Sequence, residues 1–301
     1  MKIKVVDVVL LSVLALMGCN LNSDETSGEA QLANDLKSID SYLANKGITA
    51  LKDVNGIRFK IDSLGTSYSP RFNNNVSFDY TGKLLSGTVF QAGAVKDKPV
   101  SNFITGLQIG LPLVPNGSKA TFYIPSSFAY GSQGQTNIPP NSNLIFEIKL
   151  KGITVTSAEK TQLVADTVAI SKYLIKEAVQ NVVKDTSGLK YVITELGTGA
   201  KPSWLNKVKV TYNGYLIIDG TKGAKFYSGT NEPTSTSDSR VVNYIRGFQI
   251  GLQQLPKGSK AIFYVPSTLG FGSAAVSGGI VTVPANSNLL YEVELVDVLE
   301  P

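Results

Sequence analysis

One internal repeat constrains this chain more than any other feature. The passage Gly117-Ser-Lys-Ala-Thr-Phe-Tyr-Ile-Pro-Ser-Ser-Phe-Ala-Tyr130-Gly131 returns as Gly258-Ser-Lys-Ala-Ile-Phe-Tyr-Val-Pro-Ser-Thr-Leu-Gly-Phe271-Gly272, displaced by 271 − 130 = 141 residues. Aligned without gaps, residues 103–132 and 244–273 are identical at 17 of 30 positions. A period this long describes a duplicated domain, not a solenoid unit. A chain of 301 residues has room for two domains of ordinary size. Whatever core the first copy builds, the second must build from nearly the same pattern.

Each copy opens with an amphipathic helix. Leu32, Leu36, Ile39 and Leu43 recur at helical spacing from Ala30 to Asn45, before Gly47. In the second copy Thr156-Ser-Ala-Glu159 is a capping box, followed by Leu163, Thr167, Ile170, Leu174 and Ala178. Packing beside its own domain is the expected role of each helix, with dimerisation the alternative. Alternating strands follow at Gly56–Ile61 and Gly188–Ile193, then at Val76–Tyr80 and Val208–Tyr212. Phe103–Leu111 and Tyr244–Leu252 read as short helices under a sheet that Leu144–Leu150 continues. The result is α+β: two tandem units, each a curved antiparallel sheet wrapped around a short helix. Between Tyr212 and Ile245 the second copy carries 141 − 132 = 9 extra residues, assigned here to a longer flap over Tyr227–Asp238.

Two absences narrow the chemistry. The chain has no histidine, the commonest general base and metal ligand. It has one cysteine, too few for an intrachain disulfide or a Cys-based zinc site. No metal and no cofactor are expected. The net charge of +5 is spread without a Lys/Arg run, so no nucleic-acid partner is expected. Shape, aromatic surface and hydrogen bonds are left to carry any reaction.

The repeated passage, with Ile138-Pro139-Pro140 and Phe146 beyond it and Val76-Ser-Phe-Asp-Tyr80-Thr-Gly82 … Gly87-Thr-Val-Phe90 before it, resembles FKBP-type peptidyl-prolyl cis-trans isomerases. The second copy answers with Val210-Thr-Tyr212-Asn-Gly214 and Ala224-Lys-Phe226. The resemblance covers about 57–153 and 189–299. It implies a reaction that fits the composition. Rotation about a peptide bond faces a barrier of about 18–20 kcal/mol, and X-Pro bonds populate both isomers. A dry apolar pocket with donors fitted to the twisted amide lowers that barrier by differential binding. Neither a nucleophile nor a metal is needed.

The resemblance places catalytic residues at Tyr80, Phe90, Ile104, Tyr130 and Phe146. The Ile104 backbone N–H and the Tyr130 hydroxyl would bind the substrate's carbonyls. Gln91, Val100, Phe103, Leu107 and Ile138 would complete the substrate pocket. The second copy's matching set is Tyr212, Phe226, Tyr227, Tyr244, Ile245, Phe248, Phe271, Val283 and Tyr291. Taken singly, each of these is ordinary core. Family members commonly carry Asp where Gln91 and Tyr227 stand, and Trp where Leu107 and Phe248 stand; the single Trp, Trp204, lies outside the motif. Phe271 replaces the tyrosine and removes a donor. The first copy is therefore the better candidate for activity, as a slow enzyme.

The N-terminus reads as an export leader. Lys2 and Lys4 precede an apolar run from Val5 to Met17, interrupted by Asp7 and Ser12, and Leu16-Met-Gly-Cys19 resembles a bacterial lipobox. The run is too short to span a bilayer as a helix. The expected organisation is a leader at 1–18, a lipidated Cys19, a flexible tether over 19–29, a first helix and domain at 30–155, and a second at 156–301. The expected setting is the bacterial cell envelope, on the periplasmic or surface side of an outer membrane, held by the lipid anchor. Proline-containing polypeptides are the expected partners. The function is then isomerisation assisting exported proteins, or, as the alternative, non-catalytic polypeptide binding as a chaperone or adhesin.

Overall fold

Strand alternation and two closely placed glycines build each half of the molecule. The structure, a computed structural model, describes residues 24–65, 68–234 and 239–300. The leader, Cys19, the start of the tether, Thr66 and the last part of the expected flap lie outside those residues. The chain divides between Val155 and Thr156 into two compact units.

The first unit runs α1 (Asp24–Asn45), β1 (Leu51–Lys52), β2 (Arg58–Ser63), β3 (Asn75–Leu84), β4 (Val89–Pro99), α2 (Thr105–Gly110), β5 (Lys119–Ile124) and β6 (Leu144–Thr154). Helix α1 begins at Asp24, not Ala30, so residues 24–29 belong to the helix and not to a tether. The strands form one six-stranded antiparallel sheet in the order β1-β2-β5-β6-β3-β4.

The second unit repeats the plan with α3 (Ser157–Lys176), β7 (Val183–Lys184), β8 (Lys190–Glu195), β9 (Lys207–Ile218), β10 (Thr221–Asn231), α4 (Arg246–Leu252), β11 (Lys260–Val265) and β12 (Asn288–Leu299). Its sheet order, β7-β8-β11-β12-β9-β10, is the same. The capping box closes on α3: Glu159 N–H donates to the Thr156 hydroxyl and Thr156 N–H to the Glu159 carboxylate, both at 3.1 Å.

The extra residues of the second unit fall in two places. Gln91 pairs with Gly82 and Tyr227 with Gly214, so the displacement is already 227 − 91 = 136 on the fourth strand. Four of the nine residues thus lengthen the β9–β10 hairpin, and five follow the strand. Tyr227–Asn231 is paired strand, not flap. Ladder bonds to β9 hold it extended, which its Ser/Thr-rich composition did not reveal.

Each sheet is covered on both faces. On one, Gly106 and Gly110 let α2 lie directly on β5: an added Cβ would stand 2.3 Å from Ile124 and 2.8 Å from Phe122. Gly247 and Gly251 do the same over Val265 and Phe263. On the other face, Ile39 and Leu43 of α1 pack on Tyr123 and Ile145. Ile170, Tyr173 and Leu174 of α3 pack on Ile217, Tyr264 and Leu290. Buried Arg58 ties its sheet to α1 by two bonds to Asp40, at 2.7 and 2.6 Å. In the second unit Lys190 takes that place, donating to the Ser171 hydroxyl (2.6 Å) and the Thr167 carbonyl (3.0 Å). Burial lowers its pKa, and Lys184 adds to the effect.

Ile124 is fully buried and has nowhere to retreat. Gly106→Ala should therefore destabilise the first unit by about 1–3 kcal/mol, despite a helix-propensity gain of about 1 kcal/mol. Urea unfolding of the variant against the parent measures it; an unchanged midpoint would show that the helix does not rest on the strand.

Candidate functional site

The close approach of α2 to the sheet sets an aromatic basin at its N-terminal end. Phe78 and Tyr80 stand at alternate positions of β3, with Phe103 edge-on to Phe78 at 5.2 Å. Phe146 of β6 links Tyr80 (6.1 Å) to Phe90 (5.8 Å, edge-on). The Phe90 ring reaches this position because Gly82 lies under it; a Cβ there would be 2.5 Å from the ring. The sequence pattern did not single out Gly82 for this role, although Thr81-Gly82 directly follows Tyr80.

The segment entering α2 is braced from within. Gln108 donates to the carbonyls of Ser101 (3.0 Å) and Phe103 (2.7 Å). Ile104 is the N-cap residue with extended backbone, so its N–H stands outside the helical ladder. Gln249 makes the same two bonds, to Val242 (2.7 Å) and Tyr244 (2.9 Å), before Ile245. This brace was also missed; a glutamine inside an apolar helix was its only signal.

The structure brings Tyr80, Phe90, Phe103 and Phe146 together as one ring cluster. Leu107, Val100 and Ile138 are buried at 4%, 0% and 4% exposure, so Val100 is core packing and not open surface. Gln91 is exposed. Tyr130 is half-buried and near enough to Tyr80 that, after burial itself, it raises the Tyr80 pKa. Ile138 is held by a tight hairpin in which Gln135 and Ile138 exchange two bonds of 2.8 Å. That hairpin and Leu84 line an open cavity of about 620 Å³ between Gln133 and Pro140.

The second basin uses the matching residues and fills itself. Tyr227 stacks on Tyr212 at 4.5 Å and 17°. Phe248 meets Tyr212 at 5.1 Å and Tyr291 at 4.8 Å, while Tyr244 lies parallel to it at 5.7 Å. Phe226 touches Tyr291 and Phe271. Asn231 donates to the Tyr244 hydroxyl. Ile245 is half-buried at the N-cap and Val283 is buried in its hairpin. That hairpin is longer than its counterpart: Val276 and Val283 exchange the bonds, so 283 − 276 = 7 against 138 − 135 = 3. It folds back on β10, where Ile280 N–H donates to the Phe226 carbonyl at 2.9 Å.

Electrostatics record the same difference. Burial, then the Tyr227 hydroxyl, raises Tyr212 far above the usual tyrosine range, and Tyr291 is raised by the same two causes. Burial raises Tyr244 against the lowering effect of Asn231. On the opposite face Tyr264 is pushed up to about 12 by burial and Tyr173, as its counterpart Tyr123 is by burial and Tyr42, so there the units do not differ. Among the described residues, no three His, Cys, Asp or Glu side chains gather to hold a metal.

Each of these tyrosines is neutral in the fold and ionises more readily when unfolded, at about 10. Their contribution to stability is complete below about pH 10 and is lost as pH climbs past it. Alkaline unfolding of the second unit should begin there, and Tyr212→Phe should flatten the dependence. Denaturant midpoints between pH 8 and 12 measure this; an unaltered slope in the variant would contradict it.

A family model for FKBP-type peptidyl-prolyl cis-trans isomerase matches residues 67–151 and 199–296. The chain is 36% identical over 159 residues to the FKBP-type peptidyl-prolyl cis-trans isomerase FkpA of Aeromonas hydrophila, covering 52% of this chain and 55% of that protein. It is 33% identical over 127 residues to the FKBP-type 22 kDa isomerase of Escherichia coli, covering 40% and 61%. It is 38% identical over 120 residues to the outer membrane protein MIP of Legionella longbeachae, covering 37% and 51%. The chain thus spans about half the length of the curated relatives it matches. The crystal structure of FkpA from Escherichia coli aligns at a TM-score of 0.37 and 23% identity, over 43% of this chain and 64% of that one.

Proposed function

The chain belongs to the FKBP-type peptidyl-prolyl cis-trans isomerase family, and from that premise we propose that its first repeat catalyses prolyl isomerisation in exported polypeptides. One observation carries the reading: beside the Tyr80–Phe90–Phe146 rings of the first repeat the fourth strand carries an exposed Gln91, whereas in the second repeat Tyr227 at that place stacks on Tyr212. A proline ring would rest among Tyr80, Phe103, Leu107 and Phe146. The Ile104 N–H and the Tyr130 hydroxyl would hold the flanking carbonyls. Water excluded by the rings favours the twisted amide, whose dipole is smaller, and the two donors add differential binding. Leu107 gives a smaller flat surface than an aromatic floor, which fits a slow enzyme.

The filled basin favours a different role for the second repeat. Phe271 offers no hydroxyl, and the hairpin carrying Ile280 (63% exposed) presents apolar surface to solvent. Polypeptide binding without turnover suits that arrangement.

Isomerisation measured on fragments 24–155 and 156–301 tests the assignment. Most activity should reside in the first. Tyr130→Phe should lower kcat/KM about three- to tenfold, the worth of one neutral hydrogen bond. A second fragment that outpaces the first would overturn the reading.

Membrane attachment through an acylated Cys19 completes the proposal. It rests on the lipobox-like sequence and on a relative named as an outer membrane protein. Among the described residues, no helix is long and apolar enough to cross a membrane. Cys19→Ala should move the protein from the membrane pellet to the soluble fraction; retention with the leader uncut would refute the anchor.

A further inference from the structure

Asp35 lies on α1, on the far side of the sheet from α2, and yet it is 2% exposed. A buried carboxylate is tolerated only where donors meet its lone pairs. Here Oδ2 accepts from the Ser126 backbone N–H at 2.8 Å and from the Ser126 hydroxyl at 2.6 Å. Oδ1 accepts from the Gln31 side-chain amide at 2.8 Å. Asn143 closes the ring: its Oδ1 accepts from Ser126 N–H at 3.1 Å and its Nδ2 donates to the Asp35 carbonyl at 3.3 Å.

Ser126 opens the short turn Ser126–Phe128. That turn is fixed by Phe128 N–H to the Pro125 carbonyl (3.0 Å) and Ala129 N–H to the Ser126 carbonyl (2.9 Å). Tyr130 is the next residue. Asn143 directly precedes β6, which carries Phe146. Asp35 thus holds both ends of the segment that presents Tyr130 and Ile138, Ser126 through its carboxylate and Asn143 through its backbone carbonyl.

The second unit repeats the arrangement. Asp166 accepts from the Ser267 hydroxyl (2.6 Å), Thr268 N–H (3.4 Å) and Gln162 (2.8 Å), and Asn288 accepts from Ser267 N–H (3.3 Å). There the turn leads to Phe271, so only in the first unit does the device aim a hydrogen-bond donor.

We propose that Asp35 is a positioning residue for the isomerase site, holding the Ser126–Phe128 turn so that the Tyr130 hydroxyl faces the basin. This rests on reading the first repeat as the isomerase. The seat of α1 and the geometry of the site are then one variable, since moving the helix moves the turn.

The test is a double-mutant cycle in the full chain with Asp35→Asn, Tyr130→Phe and the pair. Asp35→Asn should lower kcat/KM on a proline-containing peptide about three- to tenfold alone, but less than about twofold when Tyr130 is already Phe. An equal loss in both backgrounds would mean a structural role only and would overturn the proposal. Selective 13C labelling of tyrosine gives a readout independent of turnover: the Tyr130 ring signal, assigned by its loss in Tyr130→Phe, should shift in Asp35→Asn. An unmoved signal also overturns the proposal. A parent chain without turnover whose Tyr130 signal still moves would refute the isomerase reading while leaving the positioning role intact. Should Asp35→Asn not fold, Ser126→Ala removes only the hydroxyl donor and runs the same cycle.

Discussion

The contact between Gly106 and Ile124 is where the site begins. Because glycine carries no side chain, α2 can settle onto β5 with its first turn against the sheet. That depth decides where Phe103, Ile104 and Leu107 stand relative to the rings of β3 and β6. A methyl group inserted there would lift the helix off a close-packed floor, since Ile124 and Phe122 are fully buried. The Gln108 brace then holds the segment entering the helix just before Ile104.

Duplication kept this frame and let the basins diverge. Gly82 and Gly214 each seat a phenylalanine ring, and both glycine pairs on the short helices persist. The difference lies one residue beyond the ring. Gln91 is exposed, whereas Tyr227 stacks on Tyr212. The stacked Tyr227 ring buries aromatic surface in the second unit where the first has an exposed Gln91. The raised tyrosine pKa values of the second unit express that burial.

The outer helices are part of the same mechanics. Each is held to its sheet by apolar contact and by polar anchors at buried positions, Asp35 and Arg58 in one case, Asp166 and Lys190 in the other. Apolar contact tolerates sliding. A carboxylate that meets a serine hydroxyl together with a backbone N–H does not: Ser126 supplies both in the first unit, Ser267 and Thr268 in the second, which gives each helix a defined seat on the turn before Tyr130 or Phe271.

By itself, the sequence determined the duplication, the α+β class and the identity of the rings. Strand alternation, the Thr156–Glu159 capping box and the repeated aromatic spacing are local signals, readable because each reflects a fixed period or a single hydrogen-bonded turn. Tertiary structure decided what depends on partners distant in the chain. The β9–β10 extension, with Tyr227 paired to Gly214, follows from ladder register, not from composition. The helix start at Asp24 lay hidden in a polar stretch without apolar period. Asp35 and Ser126 are 91 residues apart; an aspartate on a helix reads as solvated surface until folding buries it against a serine hydroxyl. Whether the tyrosine of the third strand carries a stacked ring from the fourth was decided by one neighbouring side chain, Gln91 beside Tyr80 and Tyr227 beside Tyr212.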